Sequence, residues 1–303
     1  MSKYFYDLEF LEGKQDKRIC GIKYGETMPT IDIISIGIVS ETITNEKSGL
    51  DLVTKEPYKH TREYYAISKD FNLKEAWNRY DVQEQTPFEK YNGFSGKKVY
   101  WIRENVLKPI WIEKCKEGFS FKDSPMTPYG IEILFTYQNF KKLINKYGKT
   151  NKEIAEEVMN FVNPLRIENI QKYKEQVSKE AFTKARIDSA ENNPIKLYGY
   201  YSAYDHVALC WLFGKMIDLP NGFPMYTIDL QQELDRIQYN RKTLKEYIDN
   251  SPGALTKHEK HRLVHPLNLK EHENYPKQTN EHSAIHDARW NKQLYEFLQT
   301  LNN

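Results

Sequence analysis

Residues 3–10 read KYFYDLEF and residues 31–40 read IDIISIGIVS. Both runs are rich in β-formers, and the second is the strongest strand signal in the chain. The first carries Asp7 and Glu9 on either side of Leu8. Residues i and i+2 of a strand share a face, so the two carboxylates stand side by side while Leu8 turns to the core. Acidic residues are disfavoured in strands, and two on one face repel each other unless a cation lies between them. A hard divalent ion, which prefers oxygen ligands, suits such a place. A solvated sheet face would accommodate the same tripeptide.

Working outward, residues 62–68 (REYYAIS) form a third candidate strand. Three strands separated by turn-rich stretches predict an antiparallel meander. Residues 195–201 (IKLYGYY) and 226–230 (YTIDL) add a fourth strand and a short fifth. Residues 98–107 place Val99, Ile102 and Val106 at helical spacing, and this helix is expected to stop before Pro109. In 150–163, Thr150 and Glu153 have capping-box spacing, followed by Ile154, Val158 and Val162 on one face. Residues 203–213 and 284–299 are two further helices. The looser stretches 11–29, 42–60, 74–96, 111–190 and 236–280 read as elaborations of one α/β domain spanning 1–303, with 111–190 as a helical insertion.

Composition narrows the function. Lys+Arg is 44 against 42 Asp+Glu, a net charge of +2, which excludes a strongly basic coat protein but leaves room for a local basic groove. Mean hydropathy is −0.76, yet aromatic residues make up 14%, which argues against disorder. Cys20, Cys115 and Cys210 are scattered, with neither zinc-ligand spacing nor a disulfide framework, and suit a reducing compartment. The start of the chain has no leader pattern, and no run of 18 apolar residues occurs. A soluble, cytoplasmic protein is expected, with no membrane partner.

Two more clusters can carry chemistry. Asp205 follows a strand and opens a helix, where the helix dipole favours an acid in any case. His282-Ser283-Ala284-Ile285-His286-Asp287 opens the last helix. Five residues apart on a continuous helix, His282 and Asp287 would point in different directions. They converge only if His282 lies in the loop before the helix or in its first turn. His282 and His286, at i and i+4, have the spacing of a zinc pair, but no Glu follows His282 and no soft third ligand is near. His258, His261 and His265 read as a solvated segment, and the Lys-rich 141–186 as a solvated helix face or an extension of a groove.

Taken in order, the motifs are Asp-x-Glu on the first strand, an Asp at a strand-to-helix junction, and His-x4-Asp opening the last helix. This order resembles the DEDD superfamily of 3′→5′ exonucleases in its histidine-containing branch. FYDLEF, IDIISIGIVSE, REYYAIS, WIRENVL, YSAYDHVALCWLFG and HSAIHDA are most similar to the RNase AS group, the polyadenylate-directed exoribonucleases. The resemblance implies an RNase H-like α/β fold, with a mixed central sheet whose first three strands are antiparallel, flanked by helices. It implies that Asp7, Glu9, Asp205 and Asp287 hold two Mg²⁺ or Mn²⁺ ions, that His282 accepts a proton, and that a single-stranded RNA 3′ end is shortened to nucleoside 5′-monophosphates. A preference for adenylate and a homodimer are implied in the same way. Trp101, Arg103 and Tyr204 lie in or beside the matched blocks and are candidates for nucleic-acid contacts. A DNA exonuclease of the same fold, or a module that binds nucleic acid without cleaving it, are the rival readings.

Overall fold

The computed structural model describes residues 2–20, 22–50, 57–84, 91, 96–120, 127–162, 195–220, 222–250, 256, 259 and 268–301. Its centre is a mixed five-stranded sheet built from β1 (Ser2–Gly13), β2 (Thr30–Ser40), β3 (Glu63–Ile67), β4 (Ile195–Gly199) and β5 (Ile228–Asp229), in the order β5-β4-β1-β2-β3. The first three strands pair antiparallel as the expected meander. β4 adds parallel to β1, and β5 parallel to β4. Parallel neighbours need a crossover, and the segment between β3 and β4 contains α1 (Leu73–Asn78), α2 (Lys108–Lys116), α3 (Pro128–Ile133), α4 (Tyr137–Tyr147) and α5 (Asn151–Val162). Then come α6 (Ala203–Phe213), α7 (Leu230–Asn250) and α8 (Ala284–Leu301). This is the arrangement of an RNase H-like fold.

The alternation along β1 organises the interior. Tyr4, Tyr6 and Leu8 point to one face and pack with Ile36, Ile38 and Ala66 against Ile154 and Val158 of α5 and Leu209 of α6. On the opposite face, Phe5 joins Leu230 and Leu234 of α7 and Trp290 and Leu294 of α8. Leu11, farther along that same face, joins a separate cluster with Ile34, Ile67, Trp111 and Phe140. Between Phe5 and Leu11 stand Asp7 and Glu9, so the two carboxylates fill the seam between two apolar cores. Each large side chain fully buried in those cores contributes ~1.5–3 kcal/mol.

The α5 capping box forms as its spacing predicts: Thr150 Oγ1 accepts from the Glu153 amide at 3.1 Å, and the Glu153 carboxylate accepts from the Thr150 amide at 2.6 Å. Three expectations fail. The helix expected over 98–107 begins only at Trp101, because Lys98–Val99 is a strand paired with Asp81–Val82. The helix expected to end before Pro109 runs through it: residues 103–107 form a π-helical turn that leads directly into α2, whose first turn contains Pro109. The wider turn accommodates a proline ring that would clash with the carbonyl four residues back in an α-helix. The stretch 236–280, read as loose, begins inside α7, a helix of 21 residues whose buried apolar residues are Leu230, Leu234, Ile237 and Ile248. Within 111–190, residues 121–126 and 163–190 lie outside the described residues, as do His258, His261 and His265. No helix among the described residues is long and apolar enough to cross a membrane.

Candidate active site

Three carboxylates meet in the seam. Asp7, Glu9 and Asp287 each offer an oxygen, and these oxygens all lie within 4.8 Å of one another. Asp287 arrives from the first turn of α8, and what brings it there is a glycine. Gly37 of β2 sits opposite Asp7 in the sheet register. A Cβ on Gly37 would overlap the Ala284 carbonyl and the Cα of Ile285. The missing side chain lets the start of α8 lie against the strands. One turn after Asp287, the buried Asn291 donates from Nδ2 to the Tyr6 carbonyl at 2.9 Å. Arg289 pairs with both Glu63 carboxylate oxygens on β3, at 2.9 and 2.6 Å. The helix is thus tied to β1 and β3 on either side of the acid.

Asp205 occupies the first turn of α6, as its sequence context predicts. The β1–β4 ladder ends at the Phe5–Tyr198 pair, and beyond it the Leu8 amide donates to Asp205 Oδ1 at 2.8 Å. Asp205 lies outside the group of oxygens that fall within 4.8 Å of each other, but its charge acts on them. A chain of hydrogen bonds fixes α6: Thr227 Oγ1 bonds the Tyr6 hydroxyl at 2.5 Å and His206 Nδ1 at 3.0 Å.

The electrostatics follow from burial. Glu9, Asp205 and Asp287 are 8%, 7% and 7% exposed. Removal from water, then the charges of Asp205, Glu9 and Asp287, push the Asp7 carboxyl well above the ordinary range. Burial and the charges of Asp287 and Asp205 do the same to Glu9. Burial pushes Asp205 up to about 7, against the stabilising Leu8 amide. Asp287 is raised by burial and relieved in part by two donors, Gln278 Nε2 to Oδ1 at 2.6 Å and the His282 amide to Oδ2 at 2.9 Å. Four acids pushed in one direction are a site short of positive charge. Their donor set, all carboxylate oxygen and closely spaced, fits a hard divalent ion.

His282 lies in the loop before α8, with φ at +64°. This is the placement that lets His-x4-Asp converge: the His282 amide donates to Asp287 Oδ2 at 2.9 Å, and Asp287 also feels the His282 ring. That ring meets Trp101 edge-on, with centroids 4.8 Å apart and planes at 71°. His286, the other half of the zinc-like pair, bonds the Ser283 hydroxyl through Nδ1 at 2.9 Å.

A cleft of about 780 Å³ opens beside Glu9, walled by Phe10, Trp101, Tyr204 and Trp211. Tyr204 packs edge-on against Phe10, with centroids 6.2 Å apart, and the residue is more than half exposed. Arg103 does not reach this wall. Its guanidinium lies 3.9 Å from the Tyr100 ring centroid and bonds Glu104 at 3.0 Å. Sequence reasoning missed Gly37, Gln278 and Asn291. Asn291 alone left a signal, a polar residue four positions after Asp287 on an otherwise apolar helix face.

No family model matches the sequence. Over 230 residues, 76% of this chain and 72% of the relative, the sequence is 24% identical to a 3′-5′ exoribonuclease of Mycobacterium tuberculosis, found alike in strains CDC 1551/Oshkosh and ATCC 25618/H37Rv. The chain is a distant homologue of that protein, in agreement with the resemblance read from its motifs.

Proposed function

We propose that this distant homologue of an exoribonuclease is itself a metal-dependent 3′→5′ exonuclease that shortens single-stranded RNA from its 3′ end. The observation that carries this reading is the meeting of Asp7, Glu9 and Asp287 within 4.8 Å beside an aromatic cleft. Asp7, Glu9 and Asp287, with Asp205 alongside, would hold Mg²⁺ or Mn²⁺, two ions in the usual arrangement for phosphodiester hydrolysis. Such ions supply charge neutralisation at the scissile phosphate and acidify the attacking water.

The chain's own groups do the rest. His282 takes the proton of the attacking water on its ring. Trp101 holds that ring by its edge. Tyr204 and Trp101 offer faces on which the terminal bases stack, a contact worth ~1–3 kcal/mol per base and tolerant of sequence. Asp287 is held by Gln278 and the His282 amide, so the acid and the histidine keep a fixed relation. The products are a nucleoside 5′-monophosphate and a strand one nucleotide shorter.

The test is a time course on 5′-labelled oligo(rA), mixed RNA and oligo(dA), each with Mg²⁺, Mn²⁺ or EDTA, with His282→Ala run beside the wild type. A metal-dependent ladder descending from the 3′ end and lost in the variant is expected. Faster loss of oligo(rA) than of mixed RNA would establish an adenylate preference. Shortening of oligo(dA) alone would make the protein a DNA exonuclease, and no shortening of any strand would refute the reading in favour of a binding module.

A further inference from the structure

A second cleft, of about 740 Å³, lies on the other side of Arg79, which lines both clefts. The two differ in chemistry. The first is aromatic and ends at Glu9. The second is polar, with Lys74, Asn78, Tyr80 and Tyr100 in its walls. Its two acids are already satisfied: Asp16 by Lys23 at 2.7 Å and Glu75 by Arg79 at 3.3 Å. Arg79 is also anchored, donating to the carbonyls of Glu12 and of Lys14, so it forms a fixed divider between the clefts.

The rim of this second cleft carries two neighbouring tyrosine rings flanked by cations. Antiparallel pairing of Asp81–Val82 with Lys98–Val99 brings Tyr80 and Tyr100 across from each other, with ring centroids 5.8 Å apart. Lys98 Nζ sits 4.1 Å from the Tyr80 ring centroid, and Arg103 caps Tyr100 at 3.9 Å. Aromatic rings beside cations in a polar groove are the chemistry that holds a single nucleic-acid strand, rings taking bases and cations taking phosphates. The continuity through Arg79 gives the strand its direction, with its 3′ end toward Glu9.

We propose that the second cleft binds the nucleotides upstream of the 3′ end, through the Tyr80 and Tyr100 side chains and phosphate contacts from Lys74 and Lys98. This rests on the exonuclease reading for its polarity, but its test does not use cleavage. The full chain, in EDTA, is titrated by fluorescence anisotropy with a labelled trinucleotide and with a long single strand of the same 3′ sequence, across a series of salt concentrations. Wild type is compared with Lys74→Glu/Lys98→Glu, two exposed positions remote from the carboxylates, after their melting curves have been matched.

The variant should bind the long strand about tenfold more weakly, equivalent to losing ~1.4 kcal/mol. Its salt dependence should flatten by about 0.7 in log–log slope for each phosphate contact removed, and binding of the trinucleotide should not change. An unchanged Kd and slope on the long strand, or equal losses at both lengths, would overturn the proposal. A strand that binds as expected yet is not shortened when Mg²⁺ is added would refute the exonuclease reading and leave the upstream track standing.

Discussion

The amide of Leu8 and the carboxylate of Asp205, 197 residues apart in sequence, meet in a buried hydrogen bond of 2.8 Å. The bond serves two ends at once. It satisfies a strand amide just past the last β1–β4 pair, and it holds an acid beside Asp7. Asp205→Asn keeps an acceptor for Leu8 and removes a charge from a crowded site. It should melt higher than wild type in EDTA and lose more than about a hundredfold in activity, the scale of deleting one electrostatic stabiliser of a transition state. Asp205→Ala leaves the Leu8 amide unmet, at a cost of ~1–3 kcal/mol, and should melt below Asp205→Asn. Paired thermal melts with rate measurements check both.

The same repulsion sets the response to pH. Burial raises Asp205 from 3.8 in the unfolded chain to about 7 in the folded one, so between those values the folded state binds more protons. Stability without metal is therefore highest near the lower value and falls as pH rises toward 7. Melting in EDTA should occur at a higher temperature at pH 5.5 than at pH 8. Mg²⁺ or Mn²⁺ should restore the loss at pH 8, with each kcal/mol recovered raising Tm by about 1.5–2 °C in a chain of this size. A melting temperature that rises from pH 5.5 to pH 8 in EDTA would count against the carboxylate cluster.

Gly37 sets how close α8 approaches Asp7. Gly37→Ala should destabilise the fold by ~1–3 kcal/mol, the range for forcing a methyl group into filled space. It should also cost activity out of proportion, since the displaced backbone belongs to the turn that presents Asp287. Activity measured well below the melting temperature separates the two effects.

Trp101 meets the His282 ring edge-on at 4.8 Å, a contact of ~0.5–1.5 kcal/mol beyond simple burial. Trp101→Ala should lower kcat by up to about tenfold as the histidine loses its orientation, and raise KM as a stacking face is lost. Trp101→Phe should recover most of kcat. A change in KM alone would confine Trp101 to substrate contact.

Local signals made much of this legible. The β1–β3 meander shows in period-two alternation, α5 in its capping box, and α6 and α8 in their apolar spacing. The carboxylates stood out because two acids on one face of a buried strand are costly to keep. What stayed hidden was relational. α7 begins inside YTIDL, where a short strand turns directly into a helix, and polar residues separate Ile237 from the next buried apolar residue, Ile248. Pro109 pointed to a helix end because a π-helical turn has no sequence mark. Gly37 looks like any strand glycine until α8 is laid over it, and the contact between Trp101 and His282 joins segments that no local pattern links.

Because Asp7 lies on the first strand and Asp287 on α8, the order of synthesis separates them by nearly the whole chain. The carboxylate group closes only after β4, α6 and α8 have docked, and contacts of such long sequence separation form late in folding. On the proposed function, the capacity for hydrolysis arises only after residue 287 has been made. While residue 287 is still to be translated, the group of Asp7, Glu9 and Asp287 is incomplete.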